Sequence, residues 1–138
     1  MNLAYYIVVF DHATDALWSA LGLGDAYRAR TGAGTFAVEA HILYRAELLL
    51  GEQVGVTSQI LGADSKRIHL AHEMHRGATV IAQQELLLVS VDLQTRRVVP
   101  FRDGVADRVA AAARAHAALA VPDWVGRRVA MTRPAPTA

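Results

Sequence analysis

The sequence TFAVEAHILYRAELLLGEQVGVTSQILGADSKRIHLAHEMHRGATVIAQQELLLVSVDL, residues 35–93, decides the fold of this chain. Apolar and polar side chains alternate along it, and turn residues interrupt the alternation, which predicts consecutive β-strands. The strands are predicted over residues 35–45, 53–61, 66–76 and 78–93. Strands joined only by short turns predict an antiparallel meander. The last strand is apolar on both sides at its centre, LLLVSV, and is therefore expected to be covered on both faces, in a central position of the sheet or at an intersubunit contact.

One long helix is predicted ahead of the strands, over about residues 3–21. Its apolar side chains recur at spacings of three and four, as on the buried face of a helix. The residues with this spacing are Leu3, Ile7, Phe10, Thr14, Leu17, Trp18 and Leu21. Asn2 is a suitable N-cap, and Gly22 or Gly24 is a suitable C-terminal stop.

The remaining segments predict a simple domain plan. Residues 25–34 are predicted as a polar loop, and an alanine-rich helix is predicted over residues 103–120 with Asp103 as its cap. One helix wrapped by an antiparallel sheet, with an extra C-terminal helix, is an α+β architecture. Residues 1–121 are expected to form this domain, and residues 122–138 an extended tail.

Composition excludes several classes of protein. The 138 residues are 53% hydrophobic and 20% charged, as in a globular domain, and the net charge of +1 favours neither nucleic acid nor an anionic membrane as a partner. The absence of cysteine excludes disulfides and thiolate chemistry. No apolar run is long enough for a membrane span or a signal sequence, so the sequence predicts a cytoplasmic protein.

Three histidines, His69, His72 and His75, invite a metal-binding interpretation. On a β-strand, however, His72 points away from the other two, so the three side chains cannot converge on one ion. The glycines of the chain do not form a phosphate-binding motif after a strand either. The sequence therefore predicts neither a metal site nor an organic cofactor.

The pair Glu39 and His41 is the best acid–base candidate. The two side chains lie two residues apart on one face of the first strand, where a carboxylate beside an imidazole suits general-base work on water. A solvated outer strand face is the simpler interpretation of the same pair. The residues alone leave both interpretations open.

Basic pairs and aromatic residues supply candidates for binding. Two basic pairs, after the second and fourth strands, suit either solubility or contact with phosphates. Aromatic side chains near the helix start are core residues or, through their ring faces, binding groups for a quaternary ammonium. The residues concerned are Lys66, Arg67, Arg96, Arg97, Tyr5 and Tyr6.

Four segments together resemble the hotdog-fold acyl-CoA thioesterases, in the branch that includes 4-hydroxybenzoyl-CoA thioesterase. They are Met1-Asn2 with Tyr5-Tyr6, then VEAHILY with LLLGEQV, then DSKRIHLAHEM, and finally VDLQTRRVVPF at residues 91–101. More narrowly, the chain resembles the betainyl-CoA thioesterases that occur beside or fused to carnitine dehydrogenase.

This resemblance implies a catalytic arrangement. Backbone N–H groups at the start of the long helix, around Asn2, would polarise the thioester carbonyl, and a carboxylate would assist the attack of water. In many members that carboxylate is an Asp ahead of a His-Met-x-Asn segment, and Met1-Asn2 resembles the end of this segment. The Asp, the His and the family's first strand are then expected to precede Met1. Within the sequence, Glu39 is the leading substitute for the Asp, with His41 beside it.

The resemblance also implies a substrate and an assembly. We expect hydrolysis of a short acyl-CoA, with betainyl-CoA as a candidate, by a homodimer or a dimer of dimers whose edge strands pair. Lys66, Arg67, Arg96 and Arg97 are the candidates for contact with the CoA phosphates. Two alternatives stay open: a hydroxyacyl thioester dehydratase, and a hotdog protein that binds or assembles with acyl-CoA without catalysis.

Overall fold

The computed structural model describes residues 1–131, so the last part of the predicted tail, residues 132–138, lies outside the described residues. The described part contains three helices and four strands. The elements in chain order are α1 (Leu3–Leu21), α2 (Asp25–Thr31), β1 (Ala33–Tyr44), β2 (Gly55–Ala63), β3 (Arg67–Arg76), β4 (Thr79–Asp92) and α3 (Val105–His116).

The long helix α1 has the predicted bounds. The Asn2 side chain accepts a hydrogen bond from the backbone N–H of Ala4 at 3.1 Å, which satisfies one of the unpaired donors of the first turn. Gly22 ends the helix with φ of 77°, a conformation that glycine adopts without a steric penalty. The buried stripe repeats every three or four residues: Tyr6, Phe10, Thr14, Trp18 and Leu21.

Two local predictions are wrong. The segment predicted as a polar loop contains helix α2, which Tyr27 anchors by burying its ring and accepting a hydrogen bond from the Arg102 N–H at 3.1 Å. Asp103 does not cap α3, because it lies one residue ahead of the cap position and its carboxylate pairs with Arg30. Gly104 occupies the cap position instead, and α3 is shorter than predicted at both ends.

The sheet is antiparallel, with strand order β1-β4-β3-β2. The predicted four-strand meander is wrong for β1, which pairs with β4 and not with β2, because residues 45–54 form a long connection from one edge of the sheet to the other. The predicted central position of the last strand is confirmed, since β4 lies between β1 and β3. We call the face against α1 the inner face and the opposite one the outer face. Helix α3 lies along β2, where the N–H of Ile60 donates to the imidazole Nδ1 of His116 at 2.8 Å.

Two apolar clusters fill the space between the inner face and the helices. One joins Trp18 to β2, β3, β4 and α3, and the other joins Tyr6 and Phe10 to the opposite end of the sheet. The segment after α3 crosses the outer face, where Trp124 is buried and the N–H of Gly126 donates to the Glu85 carboxylate at 2.7 Å. Among residues 1–131, no helix is long and apolar enough to cross a membrane.

Candidate active site

The N-terminus of α1 opens onto a cleft of about 450 Å³. The first turn of α1 contains no acidic side chain that would neutralise the positive end of the helix dipole. The cleft is lined by Met1, Leu3, Tyr6, Tyr44, Arg45, Ala46 and Glu47. Unpaired backbone donors beside an open cleft can stabilise an oxygen that gains negative charge.

Tyr6 fixes the wall of this N-terminal cleft. Its hydroxyl accepts a hydrogen bond from the backbone N–H of Leu48 at 3.1 Å, and its ring meets that of Tyr44 edge to face at 5.2 Å. Tyr5, which the sequence placed beside it as a binding residue, is 62% exposed and points away from the core. The structure therefore brings Asn2 and Tyr6 to the same end of α1 and leaves Tyr5 at the surface.

A second cavity, the α1–β1 groove, runs along the inner face between α1 and the edge strand β1. Its volume is about 370 Å³. Asp11 and Asp15 line it from α1, because residues four apart share one side of a helix. Gln84 and Trp18 contribute further polar and aromatic surface.

Gln84 is the unusual residue of the α1–β1 groove. Its side chain is 4% exposed, and its amide oxygen is buried without a hydrogen-bond partner among residues 1–131. Buried polar atoms in native proteins are nearly always paired, so an unpaired one at a cavity indicates a group that is completed by something else. Neither Gln84 nor the two aspartates was predicted from the sequence, although the four-residue spacing of Asp11 and Asp15 on an apolar helix was a visible signal.

Beneath α1 lies a buried polar chain. Thr14 donates its hydroxyl proton to the Phe10 carbonyl at 3.1 Å, so it accepts from His72 Nε2 at 2.9 Å. This leaves the Nδ1 of His72 as the acceptor for the Ser58 hydroxyl at 2.8 Å. His72 is fully buried, and burial lowers its pKa from 6.5 to about 4. The imidazole is therefore neutral at physiological pH.

Glu39 and His41 lie elsewhere, in a cavity of about 450 Å³ on the outer face. His69 and Glu85 line the same cavity and bond to each other, with 2.7 Å between His69 Nε2 and Glu85 Oε1. Arg127 and Arg128 close it from the segment after α3. The structure thus keeps the predicted pair together but separates it from Asn2, because alternate residues of β1 face opposite sides of the sheet.

The two basic pairs lie at the far end of the sheet from the start of α1. Arg67 is held by Asp64 at 2.7 Å, and Lys66 is exposed in the same turn. Arg96 lies over the Phe36 ring at 5.4 Å, and Arg97 is exposed beside it. Backbone bonds between the segments that carry these residues bring the two pairs to one end of the molecule.

Comparison with known proteins adds independent information. Residues 1–109 match the family model described as the thioesterase-like superfamily. A betainyl-CoA thioesterase of Pseudomonas aeruginosa is 38% identical over 130 residues, which cover 93% of this chain and 82% of that protein. An L-carnitine dehydrogenase/betainyl-CoA thioesterase of Rhizobium meliloti is 35% identical over 93% of this chain, which spans only 26% of that longer protein.

Solved structures show the same architecture. A protein of Staphylococcus aureus, solved in complex with CoA, is 25% identical with a TM-score of 0.88 over 96% of this chain and 84% of its own. A protein of Pseudomonas putida assigned as a thioesterase is 34% identical with a TM-score of 0.80, over 96% of this chain and 86% of its own. The predicted hotdog fold is therefore confirmed.

Proposed function

The chain belongs to the thioesterase-like superfamily, and on this premise we propose that it is an acyl-CoA thioesterase whose substrate is betainyl-CoA or a similar short acyl-CoA. The observation that carries this proposal is the 38% identity to a betainyl-CoA thioesterase, which extends over 82% of that protein. The relatives joined to L-carnitine dehydrogenase support a role in carnitine breakdown.

The N-terminal cleft suits the first half of the reaction. The thioester carbonyl oxygen would lie against the backbone N–H groups of the first turn of α1, where the helix dipole favours negative charge. Water adds to the carbonyl carbon and loses a proton to a carboxylate. The C–S bond then breaks, and the CoA sulfur leaves as the thiol after taking up that proton.

The carboxylate of this mechanism remains a hypothesis. Glu39, with His41 beside it, is the candidate from the sequence. Glu39 lies on the outer face, whereas the start of α1 lies on the inner face. A thioester could therefore reach both only around the edge of β1. In the described chain β1 is the last strand of the sheet, so the Glu39 hypothesis requires that the dimer contact proposed below leave part of this edge open.

The Glu39 hypothesis predicts a loss of activity in Glu39→Gln. The amide cannot accept the proton from water, so kcat should fall by about 100-fold, the scale of positioned acid–base catalysis. Asp107→Asn, which removes an exposed carboxylate on α3, is the matched control and should keep wild-type kcat. An unchanged kcat in Glu39→Gln would exclude Glu39 from the chemistry.

We also propose a homodimer, alone or as a dimer of dimers. Apolar side chains exposed on α1 and β1, among them Ile7, Val8 and Val38, support an interface on this side of the molecule. Contact of the Lys66–Arg67 and Arg96–Arg97 pairs with CoA phosphates, and a cytoplasmic location, stay predictions from the sequence.

Release of free thiol from a panel of acyl-CoA esters tests the proposed activity. We expect the purified chain to release CoA fastest from betainyl-CoA, followed continuously with a chromogenic thiol reagent. Hydration of an enoyl-CoA without thiol release would instead identify a dehydratase. Binding of the esters without turnover would identify a non-catalytic acyl-CoA-binding protein.

A further inference from the structure

We propose that the α1–β1 groove is the binding site for a quaternary ammonium head group, held between the carboxylates of Asp11 and Asp15 over the amide of Gln84. This inference rests on the proposed function and adds to it the residues that select a cationic acyl group. It assigns Asp11, Asp15 and Gln84 to recognition of the head group rather than to the attack of water.

Charge is the first argument. Asp11 and Asp15 are exposed on the flank of α1 that faces the groove, and within residues 1–131 neither forms an ion pair. The groove also contains a basic residue, Arg28, which lies 3.8 Å from Asp25 on its own helix. A cation that enters beside Asp11 and Asp15 therefore meets two free carboxylates.

The floor of the groove is the second argument. A trimethylammonium group has no N–H and cannot donate an ordinary hydrogen bond, so it is bound by carboxylates, by oxygen dipoles and by aromatic faces. Gln84 places a buried amide with an unpaired oxygen at this site. Trp18 adds an indole whose Nε1–H is already donated to the Thr35 hydroxyl at 2.7 Å, so its ring is fixed beside the groove.

The length of the betainyl group determines whether the groove and the N-terminal cleft of one chain can bind the same substrate. In a betainyl group the nitrogen lies about 2.5 Å from the carbonyl carbon, as in any N–Cα–C unit. Asp11 is eight residues beyond Leu3, which is about 12 Å along an α-helix. One betainyl group therefore cannot touch the start of α1 and Asp11 of the same chain.

In the proposed homodimer, the carbonyl and the head group of one substrate can contact two different subunits. Ile7, which lines the groove, and its neighbour Val8 are 44% and 46% exposed on α1, and a two-fold contact centred on them would bring two α1 helices together antiparallel. Along α1, Ala4 and Asp11 lie at equal distances on either side of the midpoint between Ile7 and Val8, so Ala4 of one helix lies opposite Asp11 of the other. Such a contact places Asp11 of one subunit beside the helix start of the other, so the carbonyl and the head group would be held by different chains.

The experiment compares betainyl-CoA with 3,3-dimethylbutyryl-CoA, in which a neutral tert-butyl group replaces trimethylammonium at almost the same size. We expect wild type to prefer betainyl-CoA by at least about tenfold in kcat/KM, because two nearby carboxylates attract the cation alone. In the double variant Asp11→Asn, Asp15→Asn this preference should fall to within about threefold. Gln84→Leu should reduce it less, since only a dipole is lost, and Asp107→Asn should leave it unchanged.

Two other outcomes would contradict the assignment of Asp11 and Asp15 to the head group. An unchanged preference in the double variant would overturn the assignment, and so would an equal fall in kcat/KM for both esters, which would place the aspartates in the shared chemistry. The molar mass of the double variant must match that of wild type, because α1 also carries the proposed dimer contact. If wild type hydrolyses neither ester, the proposed function fails. The affinities of the two esters, measured by calorimetry, then test the groove alone.

Discussion

Phe10→Ala should lower the free energy of unfolding by about 3–5 kcal/mol, the range measured for deletion of a buried aromatic ring. Phe10 is completely buried in the middle of α1 and stacks on the imidazole of His72, with 6.0 Å between the ring centres. Its removal leaves a cavity between α1 and β3 that the polar chain beneath it cannot fill. Denaturant unfolding at a fixed protein concentration measures the loss through the transition midpoint.

Tyr5→Ala is the matched control for this prediction. It removes an aromatic ring of similar size from the same helix, but one that is 62% exposed. Its effect should stay within about 0.5 kcal/mol, as for most surface substitutions. Similar losses in the two variants would show that Phe10 is not the packing centre of this end of the core.

The fold could be predicted because its signals are local and repeated. The period-two alternation in residues 35–93 predicted four strands, and the apolar centre of β4 predicted a central position or an intersubunit contact, of which the sheet shows the first. The bounds of α1 followed from Asn2 and Gly22, two residues with strong positional preferences. Helix α2 was missed because a seven-residue helix shows too few periods, and the burial of Tyr27 that stabilises it depends on contact with Arg102.

The candidate site was harder to predict, because it depends on which segments meet. Alternation correctly predicted that Glu39 and His41 share a face, but it could not show that this face lies away from α1. Alternation placed His72 on the opposite side of β3 from His69 and His75, yet its partners Ser58 and Thr14 come from two other elements. No spacing rule connects residues that lie 58 positions apart in the chain, as Thr14 and His72 do.

The second large effect is a loss of stability in mild acid, caused by His72. In the folded protein, burial lowers the pKa of His72 to about 4, whereas in the unfolded chain the imidazole regains its ordinary value of 6.5. Between these values the unfolded chain binds a proton that the folded protein does not, so the free energy of unfolding decreases as the pH decreases. The contribution is complete above pH 6.5 and is lost as the pH falls towards 4. Its size is about 3 kcal/mol, at about 1.4 kcal/mol per unit of pKa.

His72→Gln isolates this contribution, because the amide can still donate to Thr14 and accept from Ser58 but carries no proton that titrates. We expect the variant to be less stable than wild type at pH 7 and to lose less stability between pH 6.5 and 4.5, as measured by denaturant unfolding at each pH. Asp92 also loses its contribution as the pH falls, but hydrogen bonds from Thr95 and Arg102 lower its pKa to about 2, so this loss occurs only below pH 4. The difference between the two pH profiles therefore reports His72 alone. Parallel profiles would mean that the buried imidazole accepts a proton in the folded protein as readily as in the unfolded chain, which its burial and its two hydrogen bonds oppose.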